Sequence, residues 1–388
     1  MSNPTLRLGL HLGYWVGGND ASNLSLASLA EDLGYSVVWV SEAYGSDAVS
    51  VLSWIAARTS RIDVGTAVLQ IPARSPAMTA MTAATLDTLS GGRLRLGLGV
   101  SGPQVSEGWH GVRFAAPLGR TREYVDLVRR ALRREPLEHT GAHFTLPLPD
   151  GPGKALALTI RPPRERIPVY LAALGPRNLK LAGEIADGWL PVFFSPAHAD
   201  KHMEPLRAGL ARSGRDMDGS GGSGFDIAPC VPLVTGADWR ACARRIRGYA
   251  ALYLGGMGGR QDNHYTRLAE RMGYGPQARA VQERFLAGDY PGAMAAVPLD
   301  FLDATSLLGP RGRIAERMTA FAEAGVSTLN VMPVGPGLPG PELAAHALRT
   351  AAEAAELAGL LCPGPAQNPS HPHGSQDSQG DSRTDDQS

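Results

Sequence analysis

Three cysteines are spread over 388 residues, Cys230, Cys242 and Cys362. They lie far apart, with no C-x-x-C pair and no histidine at metal-ligand spacing, so neither a disulfide framework nor a zinc site is indicated. Net charge is absent too, because Lys plus Arg and Asp plus Glu both number 37. Nothing in that balance draws the chain to nucleic acid or to an anionic membrane surface, and the expected partner is a small-molecule substrate. No window reaches the roughly 18 apolar residues of a membrane span. The opening "MSNPTLRLGLHLGYW" lacks the charged n-region and long apolar core of a signal peptide, so the expected location is cytoplasmic. The segment 363–388 has almost nothing to bury and is rich in Ser, Gln, Asp and Pro, which predicts a disordered tail. Its two histidines, His371 and His373, are too few for a metal site.

Apolar residues make up 43% of the chain and charged residues 19%, enough to build the core of one large domain over residues 1–362. Short apolar runs alternate with helical patterns along it. "LRLGLHLG" (6–13), "SVVWVSEA" (36–43), "IDVGTAVLQI" (62–71), "RLRLGLGV" (93–100), "PVYLAALG" (168–175), "WLPVFFS" (189–195), "FDIAPCVPLV" (225–234) and "VSTLNVMP" (326–333) read as strands. Asn23 is the expected cap of the first helix and Asp47 of the second, while Pro76 suits the first turn of the third. Two insertions interrupt the repeat. Residues 139–167 are expected to form a hairpin from "HFTLPL" and "ALALTI", and 257–310 carry helical pieces around "ARAVQERFLAG". In the last unit a helix precedes its strand.

Eight such alternations favour a closed (β/α)8 TIM-type barrel with insertions, because each right-handed crossover returns the chain beside the previous strand. The rival is a doubly wound open sheet. It would want G-x-G-x-x-G after the first strand, where this chain has "LGYWVGGND".

In such a barrel, chemistry gathers at the C-terminal ends of the strands. Strand one ends in His11, followed by Tyr14 and Trp15, a pair suited to a flat ligand. Strand two ends in Ser41, Glu42 and Tyr44, and desolvation at a barrel mouth can prepare a carboxylate for proton transfer. The bland alternatives stand beside these: a histidine bonded in the top layer, and a glutamate tied to backbone or to a basic neighbour. Strand four runs into "GVSGPQVSEGWHGVRF", a loop that concentrates Glu107, Trp109 and His110. Strand five delivers Gly175 and a helix start at Pro176 to Asn178, whose bare N–H groups, with Arg177, make an anion site.

Together, "VWVSEAYGSD", "VGTAVLQIPARSPAMTA", "LSGGRLRLGLGVSGPQVSEGWHGV" and "GPRNLKLAGEIADGW" resemble the bacterial luciferase-like superfamily. Within it they are similar to the branch using the deazaflavin coenzyme F420, typified by methylenetetrahydromethanopterin reductase. The resemblance spans most of residues 6–360. It implies a barrel that binds the deazaflavin in its mouth and transfers hydride at C5, usually as a homodimer. A non-proline cis peptide would fall at Ala67–Val68, where it supports one ring face. The loop Val100, Ser101, Gly102, Pro103, Gln104 and Val105 would contact the ring and ribityl chain, with small residues allowing close approach. Gly175, Pro176, Arg177 and Asn178 would take the phosphate.

Two departures bear on the chemistry. Several deazaflavin dehydrogenases of the superfamily carry Asp-His after strand two, where this chain has Glu42-Ala43, so sugar-phosphate oxidation is not expected. Where the family often has an acid at the end of strand one, this chain has His11. The proton-transfer group is left open among His11, Glu42 and Glu107, with His11 and Glu42 favoured. Trp15, Tyr44, Glu107, Trp109, His110 and the second insertion are the candidates for the substrate pocket. A reduced-FMN-dependent two-component monooxygenase is the alternative chemistry, since flavin and deazaflavin share a ring outline and a phosphate. A non-catalytic ligand-binding barrel is the remaining alternative, and no metal is expected.

Overall fold

The computed structural model describes residues 5–13, 20–217, 224–259, 263–334 and 340–361. Tyr14, Trp15, Cys362 and the segment 363–388 lie outside them. Eight parallel strands form the frame: β1 (Arg7–His11), β2 (Val37–Val40), β3 (Asp63–Thr66), β4 (Leu94–Gly99), β5 (Val169–Leu171), β6 (Gly188–Trp189), β7 (Asp226–Ile227 and Cys230–Thr235) and β8 (Thr328–Pro333). Each pairs with its neighbour in chain order, and Arg7 to Leu10 of β1 register with Thr328 to Val331 of β8, so the sheet closes. Strand β7 changes partner along its length. Asp226 and Ile227 pair with β6, whereas Cys230 to Leu233 pair with β8, and this bend carries the sheet around the last quarter of the ring.

The strands read as near-continuous apolar runs because both faces are covered, as a parallel sheet inside a ring of helices requires. All residues of β2 and β4 are buried. Inside the barrel Trp39 stacks edge-on to Tyr170, with ring centroids 5.1 Å apart. Its indole N–H donates to Asn330 Oδ1 at 2.9 Å, and Asn330 Nδ2 donates to Ala228 O at 2.8 Å. Room for so large a ring comes from Gly65 on the adjacent strand, where a Cβ would lie 2.3 Å from Trp39 Cε3. This layer forms a floor, and the space above it belongs to the strand ends.

Several helix signals sit where the sequence places them. Asp47 accepts from Ser50 N–H at the head of Ala48–Ala56, and Ser75 with Pro76 opens Pro76–Leu89. The last unit does place helix Arg311–Glu323 before β8. Three expectations need correction. Asn23 lies inside the first helix, Asp20–Asp32, because Asp20 to Ser22 extend it N-terminally. The hairpin of the first insertion pairs His139–Thr140 with Thr145–Leu146, not with "ALALTI". Glu123 sets that turn by accepting from the N–H groups of Ala142, His143 and Phe144, whereas 155–160 forms no strand and Leu156 O accepts from Leu137 N–H. Finally, the loop after β4 contains a short helix, Pro103–Gly108.

Candidate active site

All eight strands, or the residues just after them, open into one cavity of about 1030 Å³. Its first wall is built where β3 ends. The Ala67–Val68 peptide is cis, and the chain then re-pairs as Leu69–Gln70 with Leu98–Gly99 of β4. Val68 lies directly over Gly99, where a Cβ would come within 2.5 Å of Val68 Cγ2, so only glycine lets the bulge rest on β4. Beyond Gly99 the backbone turns left-handed at Ser101 (φ 62°) and enters the short helix at Pro103.

Gln70 ties this wall together. It is 3% exposed, its Nε2 donates to Ala43 O at 2.7 Å, and its Oε1 accepts from Ser101 Oγ at 3.1 Å. One amide therefore links the ends of β2, β3 and β4. A second tie fixes the β2 loop. Arg74 grips both carboxylate oxygens of Glu42 and also Asp47 Oδ1 at 2.7 Å, and Glu42 Oε2 accepts from Ala48 N–H at 3.1 Å. Glu42 lines the cavity with both oxygens already engaged.

At the end of β1, His11 is buried, and burial pushes its pKa down to about 4. Gly13 N–H donates to its Nδ1 at 3.1 Å, which places the proton of the neutral ring on Nε2. That atom faces Ser41 Oγ at 3.5 Å, the outer limit of a hydrogen bond, and both residues line the cavity.

The far end is built by helix Pro176–Ile185. Its N-cap is Gly175, which supplies no side-chain cap, so the first-turn N–H groups and the positive end of the helix dipole face outward beside Arg177. The second insertion adds Arg271, whose guanidinium donates to Leu174 O at 2.9 Å next to this helix start. Among the described residues lining the cavity, Glu42 is the sole carboxylate.

A family model for luciferase-like monooxygenases matches residues 14–328, well over half of the chain. The chain belongs to the luciferase-like monooxygenase family. A Mycobacterium tuberculosis protein provisionally named a coenzyme F420-dependent oxidoreductase is 42% identical over 84% of this chain and 94% of its own length. The 5,10-methylenetetrahydromethanopterin reductase of Archaeoglobus fulgidus is 29% identical over 79% of this chain and 88% of its own length. Among solved structures, the coenzyme F420-dependent tetrahydromethanopterin reductase of Methanopyrus kandleri superposes with a TM-score of 0.74 at 24% identity, covering 89% of this chain and 97% of that one. The luciferase-like barrel expected from sequence is thus the observed fold.

Within this family frame the cavity gathers Ala67, Val68, Val100 to Val105 and Gly175 to Asn178 from three separate strand ends. It also takes in His11, Glu42 and Tyr44. Glu107, Trp109 and His110 do not line it. The chain coils into the helix Pro103–Gly108, whose C-terminal end leaves the cavity, so Trp109 stands 65% exposed. Glu107 instead closes the following turn, accepting from Phe114 N–H at 3.0 Å and from Arg113 at 3.4 Å. Trp15 lies outside the described residues.

Sequence reasoning missed Gln70 and three tyrosines, Tyr249, Tyr253 and Tyr265, that line the opposite side. Gln70 carried one signal, a lone amide at the end of an apolar strand. The tyrosines carried none beyond their place in and beside the second insertion. Among the described residues, no cluster of three or more His, Cys, Asp or Glu is placed to hold a metal ion. No described helix is long and apolar enough to cross a membrane.

Proposed function

We propose that the protein is a coenzyme F420-dependent oxidoreductase, a reductase or dehydrogenase acting on a small organic substrate. The observation that carries this reading is the union, in one cavity, of a close-approach cradle at Val68, Gly99 and Ser101 with an uncapped helix start and Arg177. A flat ring on a chain that carries a phosphate needs both ends at once. The name of the M. tuberculosis relative supports the deazaflavin over other flat cofactors.

When bound, coenzyme F420 would exchange a hydride with the substrate at C5 of the deazaflavin. The residues of this chain do the rest. The bulge at Ala67–Val68 and the backbone from Val100 to Val105 would hold the ring, and the N–H groups of Gly175, Arg177 and Asn178 with the Arg177 guanidinium would hold the phosphate. The buried floor keeps water from beneath the site, which strengthens every hydrogen bond within it. Glu42, clamped by Arg74, orients the β2 loop that carries Ser41. His11 is neutral at ordinary pH, so its Nε2–H and the Ser41 hydroxyl form a hydrogen-bonding pair that would orient the reacting polar group of the substrate.

Titration of the purified protein with coenzyme F420 and with FMN, followed by cofactor fluorescence, tests the assignment. F420 is expected to bind at least roughly tenfold more tightly than FMN, and Arg177→Ala to weaken F420 by roughly tenfold, the loss of a charge-assisted hydrogen bond. Tight binding of FMN alone would overturn the assignment and favour the oxygen-activating chemistry.

A further inference from the structure

The ring of strands places β3 and β7 four positions apart in eight, on opposite sides of the mouth. The cradle stands on β3, β4 and β5. Facing it, after β7, the chain builds a wall of Tyr249, Tyr253, Met257 and Tyr265, all lining the cavity. Tyr249 and Tyr253 have ring centroids 4.8 Å apart, and Tyr253 and Tyr265 meet edge-on at 4.9 Å. Behind them sits Phe193, buried, its backbone turned left-handed (φ 51°), with its ring 5.5 Å from both Tyr249 and Tyr253.

The backbone is shaped to present these rings. An α-helical turn at Arg247–Ala251 passes into a π-helical one at Leu252–Gly256. In a plain α-helix, residues spaced by four drift round the axis, because one turn takes 3.6 residues. The wider π turn offsets that drift and keeps Tyr249, Tyr253 and Met257 on one side. Carbonyls released by the wider turn are taken up by Asn263, whose Nδ2 donates to Tyr253 O at 3.1 Å and Leu254 O at 2.8 Å, and by Thr266, whose hydroxyl donates to Leu254 O at 2.8 Å. Phe285 seats on the bare backbone of Gly255, where a Cβ would meet it at 2.4 Å. Single π turns inside helices recur at functional sites.

We infer that this wall is the substrate face and that it selects a planar, conjugated molecule, uncharged or anionic. Aromatic walls favour flat π systems over saturated ones of the same size, through offset and edge-on ring contacts. A cation finds no carboxylate here, since Glu42 is held by Arg74. The inference rests on the proposed function in one respect: the cofactor occupies the cradle and leaves the wall to the substrate.

The test uses the full chain and a matched pair of probes, 2-naphthol and decahydro-2-naphthol, titrated calorimetrically with and without coenzyme F420. The aromatic probe is expected to bind roughly tenfold more tightly. Tyr249→Leu and Tyr253→Leu should reduce that preference to under roughly threefold, Tyr249→Phe and Tyr253→Phe should retain it, and F420 affinity should not change in any of them. Tyr249 is only half-buried, so its variants keep the test decisive if Tyr253→Leu fails to fold. Equal binding of the two probes would overturn the inference, and so would displacement of F420 by 2-naphthol. If the aromatic probe is preferred while F420 fails to bind, the proposed function falls and the aromatic selectivity of the wall stands.

Discussion

The two ends of this barrel bury charge for opposite purposes. At the N-terminal end, Asp226 is buried and fully engaged: it pairs with Arg7 at 3.1 Å and Arg95 at 3.2 Å, and accepts from Tyr170, Ser327 and Thr328 hydroxyls. Arg95 also holds Asp63 at 2.8 Å. Burial alone would raise the pKa of Asp226, but Arg7, Arg95 and the hydroxyl donors hold it below the ordinary carboxylate range. At the C-terminal end, Glu42 and Arg74 are equally well matched, yet they stand beside open space. The bottom network ties β1, β3, β4, β5, β7 and β8 together. The top one fixes a loop so that the space next to it keeps its shape.

Removing Asp226 should therefore have the largest effect and touch stability alone. Asp226→Ala leaves Arg95 buried with Asp63 as its one carboxylate partner, and breaking a buried pair costs about 3–5 kcal/mol. Calorimetric melting should show that loss, while F420 affinity of the remaining folded protein stays at the parent value. A parallel fall in affinity would mean that the two ends are coupled. Gln70→Ala at the other end should act the other way round. It deletes two hydrogen bonds, worth about 1–2 kcal/mol of stability, but frees Ser101 and the β2 loop together, so F420 binding should weaken by roughly tenfold. Gln70→Glu sharpens the point, because a carboxylate cannot donate to Ala43 O; it should weaken binding at nearly unchanged size.

That contrast also separates what the sequence made legible from what it hid. The strands were readable because a parallel barrel buries both strand faces, leaving apolar runs such as Val37–Val40 with little ambiguity. The meeting of Val100 to Val105 with Gly175 to Asn178 at one cavity was readable because glycines and a Gly-Pro helix start are local devices, and the family resemblance supplied their joint placement. The cluster Glu107, Trp109 and His110 misled because adjacency in sequence says nothing of direction: a turn and a half of helix carries those side chains out of the cavity. Gln70 and the tyrosine wall were hidden for the converse reason. Their partners lie at neighbouring strand ends but far off in sequence: Gln70 reaches Ala43 and Ser101, and Tyr249 and Tyr253 gather round Phe193, which follows β6. The hairpin was misplaced because Glu123, on the preceding helix Pro117–Leu132, decides where the chain turns.

A pH dependence should resolve the two ends in one titration. His11 at the top has its pKa pushed down to about 4 by burial, against about 6.5 in an unfolded chain. Below pH 6.5 the unfolded chain binds a proton that the folded chain refuses until about pH 4, so stability falls as pH drops through that window. His202, packed against Trp189 and Phe194, is lowered to about 4 as well and contributes in the same sense. Asp226 at the bottom is a depressed carboxylate, so its contribution is complete above the ordinary carboxylate range and is lost only as pH falls below it. Chemical-denaturation midpoints from pH 8 to pH 3 should thus decline in two stages. His11→Asn, which retains a side-chain acceptor for Gly13 N–H, should flatten part of the first stage and leave the second untouched. A first stage unchanged in His11→Asn would show that His11 is not held neutral by the fold, and the hydrogen-bonding role given to its Nε2–H would fail with it.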